Sequence, residues 1–361
     1  MTLHIKESGT WQQVNEVHYK KDNSWERVKE VYIKKNGQWE TVLYEENTQT
    51  ITSTGAGTID VPHGAFRALI TLEGGNGGKG GHDGNGSGGD GGSGASISAV
   101  INVEPFTTLS YEIASGGTNG GAGGGRAGGA GGAGFAPGGA GGRTGSYGWS
   151  GSGGGGGGAS SLTDPAGNLL IVASGGAGGG GAGNQANKGK AARDADDSSE
   201  VSTTENTVRN GGTGQDCQTA DGGGAGGGGG GVNGPANTTA TLSMDSWGYQ
   251  YAEYNAWLDN IEQVRIQSKR SHSACTFGYS YGITGNRVWV NHGCRGTFKV
   301  YGDEVAGLGG LYSGSYDTDG YPGEGGRSYV NLDIINEYSL KTPTSSNNEA
   351  DGRLTITWLP E

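Results

Sequence analysis

Cysteine, proline and oily residues are all scarce in this chain. Of its 361 residues only 31% are hydrophobic, too few for one large apolar core. Three cysteines, Cys217, Cys275 and Cys294, exclude a disulfide framework and leave room for one pair at most. Eight prolines against 81 glycines exclude a collagen-like chain, which combines one glycine in three with much proline. No run of about 18 apolar residues is there to span a bilayer as a helix, and no charged-then-apolar leader opens the sequence. These absences predict a soluble protein made in the cytosol. Positive charge is short as well. The formal net charge of −12 argues against sequence-independent binding to nucleic acid or to anionic membranes.

What the chain has is glycine, and the glycine is patterned. From Ser115 to Ser160 the middle reads Gly-Gly-Ala, with Ala127, Ala130, Ala133 and Ala136 each three apart. After a one-residue slip, Pro137, Ala140 and Arg143 keep the beat, and an earlier block spaces Asn76, Lys79 and His82, then Ser87, Asp90 and Ser93, in the same way. A period of three is neither helical nor strand-like. It fits an extended left-handed helix of the polyproline II type, with three residues per turn and a rise of roughly 3.1 Å. Two glycines per turn leave two faces open to close approach by neighbouring backbones. A flexible Gly/Ser linker would need no such beat and no apolar strands between its runs. Fixing a glycine backbone costs about 1–2 kcal/mol per residue with no side chain to bury in return. Ordered tracts therefore require dense hydrogen bonding and pinned ends.

Residues 1–47 carry a fourteen-residue repeat. Trp11, Trp25 and Trp39 are fourteen apart, as are Val14, Val28 and Val42, with Ser8-Gly9, Asp22-Asn23 and Asn36-Gly37 at the turns. Asn-Gly between apolar strands is a strong hairpin signal. The pattern predicts a β-meander that cannot bury both faces alone and so packs on something else. The three tryptophans are the candidate attachment residues.

Residues 48–239 and 302–361 read as one mainly β body, with strands at Thr58 to Val61, Phe66 to Leu72, Ala95 to Val103, Thr108 to Ala114, Asn168 to Ala173, Ser328 to Ile335 and Leu354 to Trp358. The alternation Ile97, Ala99, Ile101 marks a half-buried strand. The order of signals carries a resemblance: the Val61-Pro62 turn, Leu69-Ile70-Thr71-Leu72-Glu73-Gly74-Gly75 running into glycine, Leu169-Leu170-Ile171-Val172-Ala173-Ser174-Gly175-Gly176, and the closing Arg353-Leu354-Thr355-Ile356-Thr357-Trp358. This half of the chain resembles the glycine-rich domain of bacteriophage tail-fibre and tail-tip adhesins. The resemblance implies a β-sandwich with packed polyglycine II helices and receptor-binding loops at their distal end. The N-terminus is unlike that of such adhesins.

Residues 240–301 differ in kind: glycine falls and aromatics rise. Ser271-His272-Ser273-Ala274-Cys275, followed by Trp289-Val290-Asn291-His292-Gly293-Cys294-Arg295-Gly296-Thr297-Phe298, resembles a small module of secreted bacterial proteins. The nineteen-residue spacing suits one disulfide, Cys275–Cys294, worth about 3 kcal/mol. Tyrosine and tryptophan give wide contact at low entropy cost and stack on sugar faces. Trp247, Tyr249, Tyr251, Tyr279, Tyr281 and His292, with Tyr312, Tyr316 and Tyr321 from the glycine/tyrosine loops, are the candidate receptor-binding residues. Trp289 and Phe298 are expected in the core of the insert. Residues 184–221 are polar and partly acidic, and read as a long exposed loop.

No catalytic or cofactor motif stands out. Asp317-Thr318-Asp319-Gly320 matches part of a calcium loop, but position 328 is serine where that loop ends in glutamate. No Gly-Lys-Ser/Thr follows the glycine runs, and the six histidines are scattered. The reading is a non-catalytic phage tail adhesin that recognises the bacterial host surface, is carried on the virion and made in the host cytoplasm. Its partners would be a phage tail or fibre protein, through residues 1–47, and a bacterial surface protein or glycan. No cofactor, metal or nucleic acid is expected, and homotrimeric display would add weak contacts by multivalency. Two alternatives are a structural glycine-rich protein, ice-binding or cell-wall-like, and a polysaccharide depolymerase.

Overall fold

In the computed structural model the described residues run from 4 to 360, apart from 8–9, 14–16, 29, 36, 45, 85, 124–125, 147–149, 184–201, 203–207, 218–221, 233–237, 248–249, 257, 286, 305–306, 308, 311–318, 336 and 342–348. They are all β or extended, with no helix among them.

Three hairpins open the chain. His4–Glu7 pairs with Thr10–Gln13, His18–Lys21 with Ser24–Arg27, and Glu30–Lys35 with Gln38–Tyr44. Among the described residues each is a separate two-stranded sheet. Only two residues separate the paired strands of each hairpin, so each strand pairs with its sequence neighbour at the lowest loop-closure entropy cost. In the second hairpin Asp22 and Asn23 both take positive φ, 48° and 67°, as a type I′ turn requires. The register sets Lys6 opposite Trp11, Lys20 opposite Trp25 and Lys34 opposite Trp39. Tyr32 of the third hairpin meets the His63 ring edge-on at 4.3 Å, and His63 meets Phe106 at 4.7 Å. This hairpin thus touches the turn at His63, which in turn packs on Phe106.

The body contains two antiparallel five-stranded sheets. One has the order Glu337–Lys341, Ser96–Asn102, Arg67–Glu73, Arg353–Leu359, Asn47–Ile51. The other has Tyr329–Val330, Leu169–Ala173, Ser160–Thr163, Thr108–Ile113, Gly55–Asp60. Alternate residues of both sheets meet in one core that includes Ile70, Leu72, Ile97, Ile113, Leu162 and Trp358. The strand expected from Ser328 to Ile335 is cut to two residues. Asn331 turns the chain by accepting from Asp333 N through Oδ1 and donating to Leu169 O. Glu337–Lys341 then joins the opposite sheet.

The glycine tracts continue the strands. Gly74 follows Arg67–Glu73, Ser174 follows Leu169–Ala173, and Ala159 leads into Ser160–Thr163. Residues 151–158 form the innermost tract and are buried throughout. Their amides donate in three directions: Gly153 and Gly156 to Gly142 O and Gly139 O, Gly154 and Gly157 to Gly179 O and Gly176 O, Gly155 and Gly158 to Thr118 O and Ser115 O. Their carbonyls accept in three more: from Gly78 and Gly75, from Gly129 and Gly132, and from Gly227 and Gly230. Six segments therefore surround one, each bonded at intervals of three residues. A methyl group on Gly154 would collide with the Gly78 carbonyl, so no side chain fits there. On the outer tract Ala127, Ala130 and Ala133 are exposed while Gly129 and Gly132 are buried. A net gain of about 0.5–1.5 kcal/mol per hydrogen bond is of the same order as the backbone entropy each residue loses. Near-complete pairing is what lets the tracts stay ordered.

The aromatic segment is a separate unit. It leaves the glycine array at Val232, whose N–H bonds to Arg327 O, and the chain returns at Gly307, whose N–H bonds to Gly325 O. Both points lie at the end nearest the sheets, not at the far end of the tracts.

Candidate functional site

The inserted unit is built from two three-stranded antiparallel sheets. Arg295–Glu304 lies between Thr238–Asp245 and Leu258–Lys269, and Arg287–Val290 lies between Ala252–Asn255 and Tyr281–Thr284. Met244, Val264, Tyr281, Val288, Val290, Phe298 and Val300 are among the residues of its buried core. Cys275 and Cys294 are disulfide-bonded with Cα atoms 5.1 Å apart, while Cys217 is not disulfide-bonded. The Tyr254 hydroxyl ties the sheets together by donating to Asp245 O and accepting from Asp245 N.

Strand alternation decides which aromatics are displayed. In Arg287-Val288-Trp289-Val290 the two valines are fully buried, so Arg287 and Trp289 face the other way. The same parity turns Tyr281 inward, to 8% exposure, against Phe298 at 5.0 Å. Tyr281 is thus a core residue, and so is Phe298, as expected. Trp289, expected in the core, is only half-buried.

The outward face of the smaller sheet gathers a polar cluster around Trp289. Glu253 and Gly282 pair directly with Trp289 in the register, and Arg287 pairs with Asn255 and Thr284. The indole lies across Gly282, where an added Cβ would come within 2.6 Å of Trp289 Cζ2. The Tyr251 ring stacks near the indole at 5.8 Å with an interplanar angle of 28°. Tyr251 donates its hydroxyl hydrogen to Glu253 at 2.7 Å, and Glu253 also pairs with Arg287 at 3.3 Å. Burial first, and then the hydrogen bond to Glu253, push the Tyr251 hydroxyl up to about 12. It stays protonated, and a donor, at any physiological pH.

The inserted unit exposes further aromatics. Trp247 is 65% exposed, with the Arg295 guanidinium 4.1 Å from its ring centre and Arg270 bonded to the neighbouring Asp245 at 2.8 Å. Tyr279, 63% exposed, stacks on His292 at 4.4 Å, and Phe277 is exposed too. His292 takes a positive φ of 51° in the turn before Cys294, which aims its ring at Tyr279. The exposed candidates Trp247, Tyr251 and Tyr279, together with His292, thus belong to the inserted unit. Tyr321 is exposed within the glycine array. Tyr249, Tyr312 and Tyr316 lie outside the described residues. Trp25 is exposed, while of Trp11 and Trp39 only the strand positions are described. Of the calcium-like stretch, Asp319 uses its carboxylate to accept from Gly183 N, and no group of metal-binding side chains occurs among the described residues.

One sequence comparison bears on this unit. Residues 253–319 match the model of a family described as a protein of unknown function, DUF3011. A second similarity is to Lectin ADEL of Aplysia dactylomela, 40% identical over 65 residues, which is 18% of this chain and 30% of that lectin. The chain therefore spans under a third of the length of the lectin it matches.

Proposed function

We propose that this protein is an adhesin of a bacteriophage tail fibre or tail tip that binds the surface of the bacterial host. The observation carrying the reading is the tract at residues 151–158, bonded to six neighbours and continuous with the sheets. Bonding at every third residue in six directions is what polyglycine II helices make, and it supports the resemblance drawn from the sequence. Such an array is stiff because each tract is fixed from several sides. It costs little core, which suits a chain with 31% hydrophobic residues. Loops and inserted units held on it meet a surface without paying again for their ordering. The action is binding, with no chemical step. The three hairpins would join it to another tail protein, through the tryptophans that recur opposite lysine.

Partial similarity to a lectin favours a glycan over a protein as the receptor. The exposed aromatics of the inserted unit have the chemistry for it, since an aromatic face stacks on the apolar face of a pyranose. The test is attachment of the fluorescently labelled full chain to host cells, alongside the same chain lacking residues 238–304. Saturable attachment that falls on deletion supports the reading. Absence of attachment to any candidate host, with no antibody labelling of virion tails, sinks it.

A further inference from the structure

We infer that the outward face of the sheet formed by Ala252–Asn255, Arg287–Val290 and Tyr281–Thr284 is a saccharide-binding site, in which a pyranose ring stacks on Trp289 and shares its hydroxyls with Glu253, Arg287 and the Tyr251 hydroxyl. The inference rests on the adhesin reading for its biological setting but not for its chemistry.

Three observations carry it. The first is that Trp289 stands outward on the central strand although half-buried, between inward-facing Val288 and Val290. The Tyr251 ring stacks beside it at 5.8 Å and is itself exposed, so the two rings form one aromatic surface on that face. Gly282 is the neighbour that lets the indole lie across the sheet instead of standing off it. A ring lying along a sheet presents a broad face, the shape that suits a sugar.

The second observation concerns the polar groups. Glu253, Arg287 and Tyr251 form one connected chain of hydrogen bonds beside that ring, with Tyr251 donating to Glu253 and Arg287 donating to Glu253 at 3.3 Å. A carboxylate accepts two or more hydrogen bonds and a guanidinium offers five donors, so capacity remains for a ligand. Adjacent sugar hydroxyls each donate one and accept one. A carboxylate–guanidinium pair meets both needs at once.

The third is rigidity. Tyr251 and Trp289 brace each other, and the strands beneath are tied by Cys275–Cys294 and by Tyr254. A sugar ring fits a site built from four side chains.

The test uses the full chain on an array of bacterial surface oligosaccharides, with direct binding to positive glycans followed by tryptophan fluorescence. Variants are Trp289→Ala and Glu253→Gln, with Leu332→Ala, exposed on the body, as a control outside the inserted unit. Glu253→Gln keeps the shape, so it reports on the site where a larger change would unsettle the fold. Expected are binding to a defined set of glycans, a fluorescence change on binding, a loss of roughly tenfold or more with Trp289→Ala and Glu253→Gln, and near-normal affinity with Leu332→Ala. Glycan binding that survives both site variants overturns the assignment and leaves the adhesin reading standing. So does attachment to host cells that protease treatment of the cells abolishes, with no glycan bound on the array. Glycan binding that follows the variants as expected, without attachment to any candidate host cell, supports the site and counts against the adhesin reading.

Discussion

Tyr32 approaches the imidazole of His63 edge-on at 4.3 Å, linking the third hairpin to the turn after Val61. Such ring pairs contribute about 0.5–1.5 kcal/mol beyond their buried area. Tyr32→Ala is expected to release the hairpins without unfolding the body. Limited proteolysis should then remove residues 1–47 faster, while the melting of the remainder stays unchanged. A variant cut no faster than the parent would show that the contact holds nothing.

A substitution inside the glycine array should behave unlike one on its rim. Gly154→Ala puts a methyl group against the Gly78 carbonyl, and only backbone movement can relieve it. The expected loss is about 1–3 kcal/mol, the range for overpacked sites, read as a lower melting temperature. Ala130→Ser, on the exposed side of its tract, should melt with the parent. Equal behaviour of the two would rule out a close-packed array.

Reduction of Cys275–Cys294 should act on the inserted unit alone, because none of its core residues belongs to the sheet core of the body. Removing a native disulfide costs about 2–5 kcal/mol in small units. The double variant Cys275→Ser/Cys294→Ser is expected to lose its low-temperature calorimetric stability first. Glycan binding should go with it while the body transition stays in place.

Tyr251 should deprotonate late. Its folded pKa, about 12, lies above the ordinary tyrosine value because of burial and then Glu253. A raised folded value stabilises the neutral form. The contribution is full below about pH 10 and is lost as pH rises through about 12. An NMR titration of the Tyr251 ring should therefore show its midpoint above the ordinary tyrosine value, and Glu253→Gln should lower it. A midpoint unmoved by that substitution would remove Glu253 as a cause.

The sequence carried the strands because period two is a strong signal: Ile97, Ala99 and Ile101 alternate, and all three are buried. It carried the three-residue beat of the glycine tracts, since Ala127, Ala130 and Ala133 could be counted directly. Which tract lies innermost could not be read, because every glycine looks alike until its partners are known. The site was half legible. Trp247 and Tyr279 are where aromatic density suggested, but Tyr281 and Trp289 exchange the roles expected of them. The valines flanking Trp289 held the missing information, for they claim the inner face and leave the indole outside. Glu253 and Arg287 gave no signal of their own, since acids and bases on short strands are common. Only the register that sets Glu253 beside Trp289 singles them out.

The innermost tract also dictates a schedule of assembly. Residues 151–158 take partners from as early as Gly75 and as late as Gly230, and the neighbouring tract at 223–230 needs Tyr321 and Glu324 in turn. A growing chain cannot close this array until nearly all of it has been synthesised. Pairings of such long sequence separation form slowly and leave unpaired amides waiting. The finished array thus depends on a step that comes late and all at once. Any premature stop between Gly158 and Glu324 would leave a product unable to set.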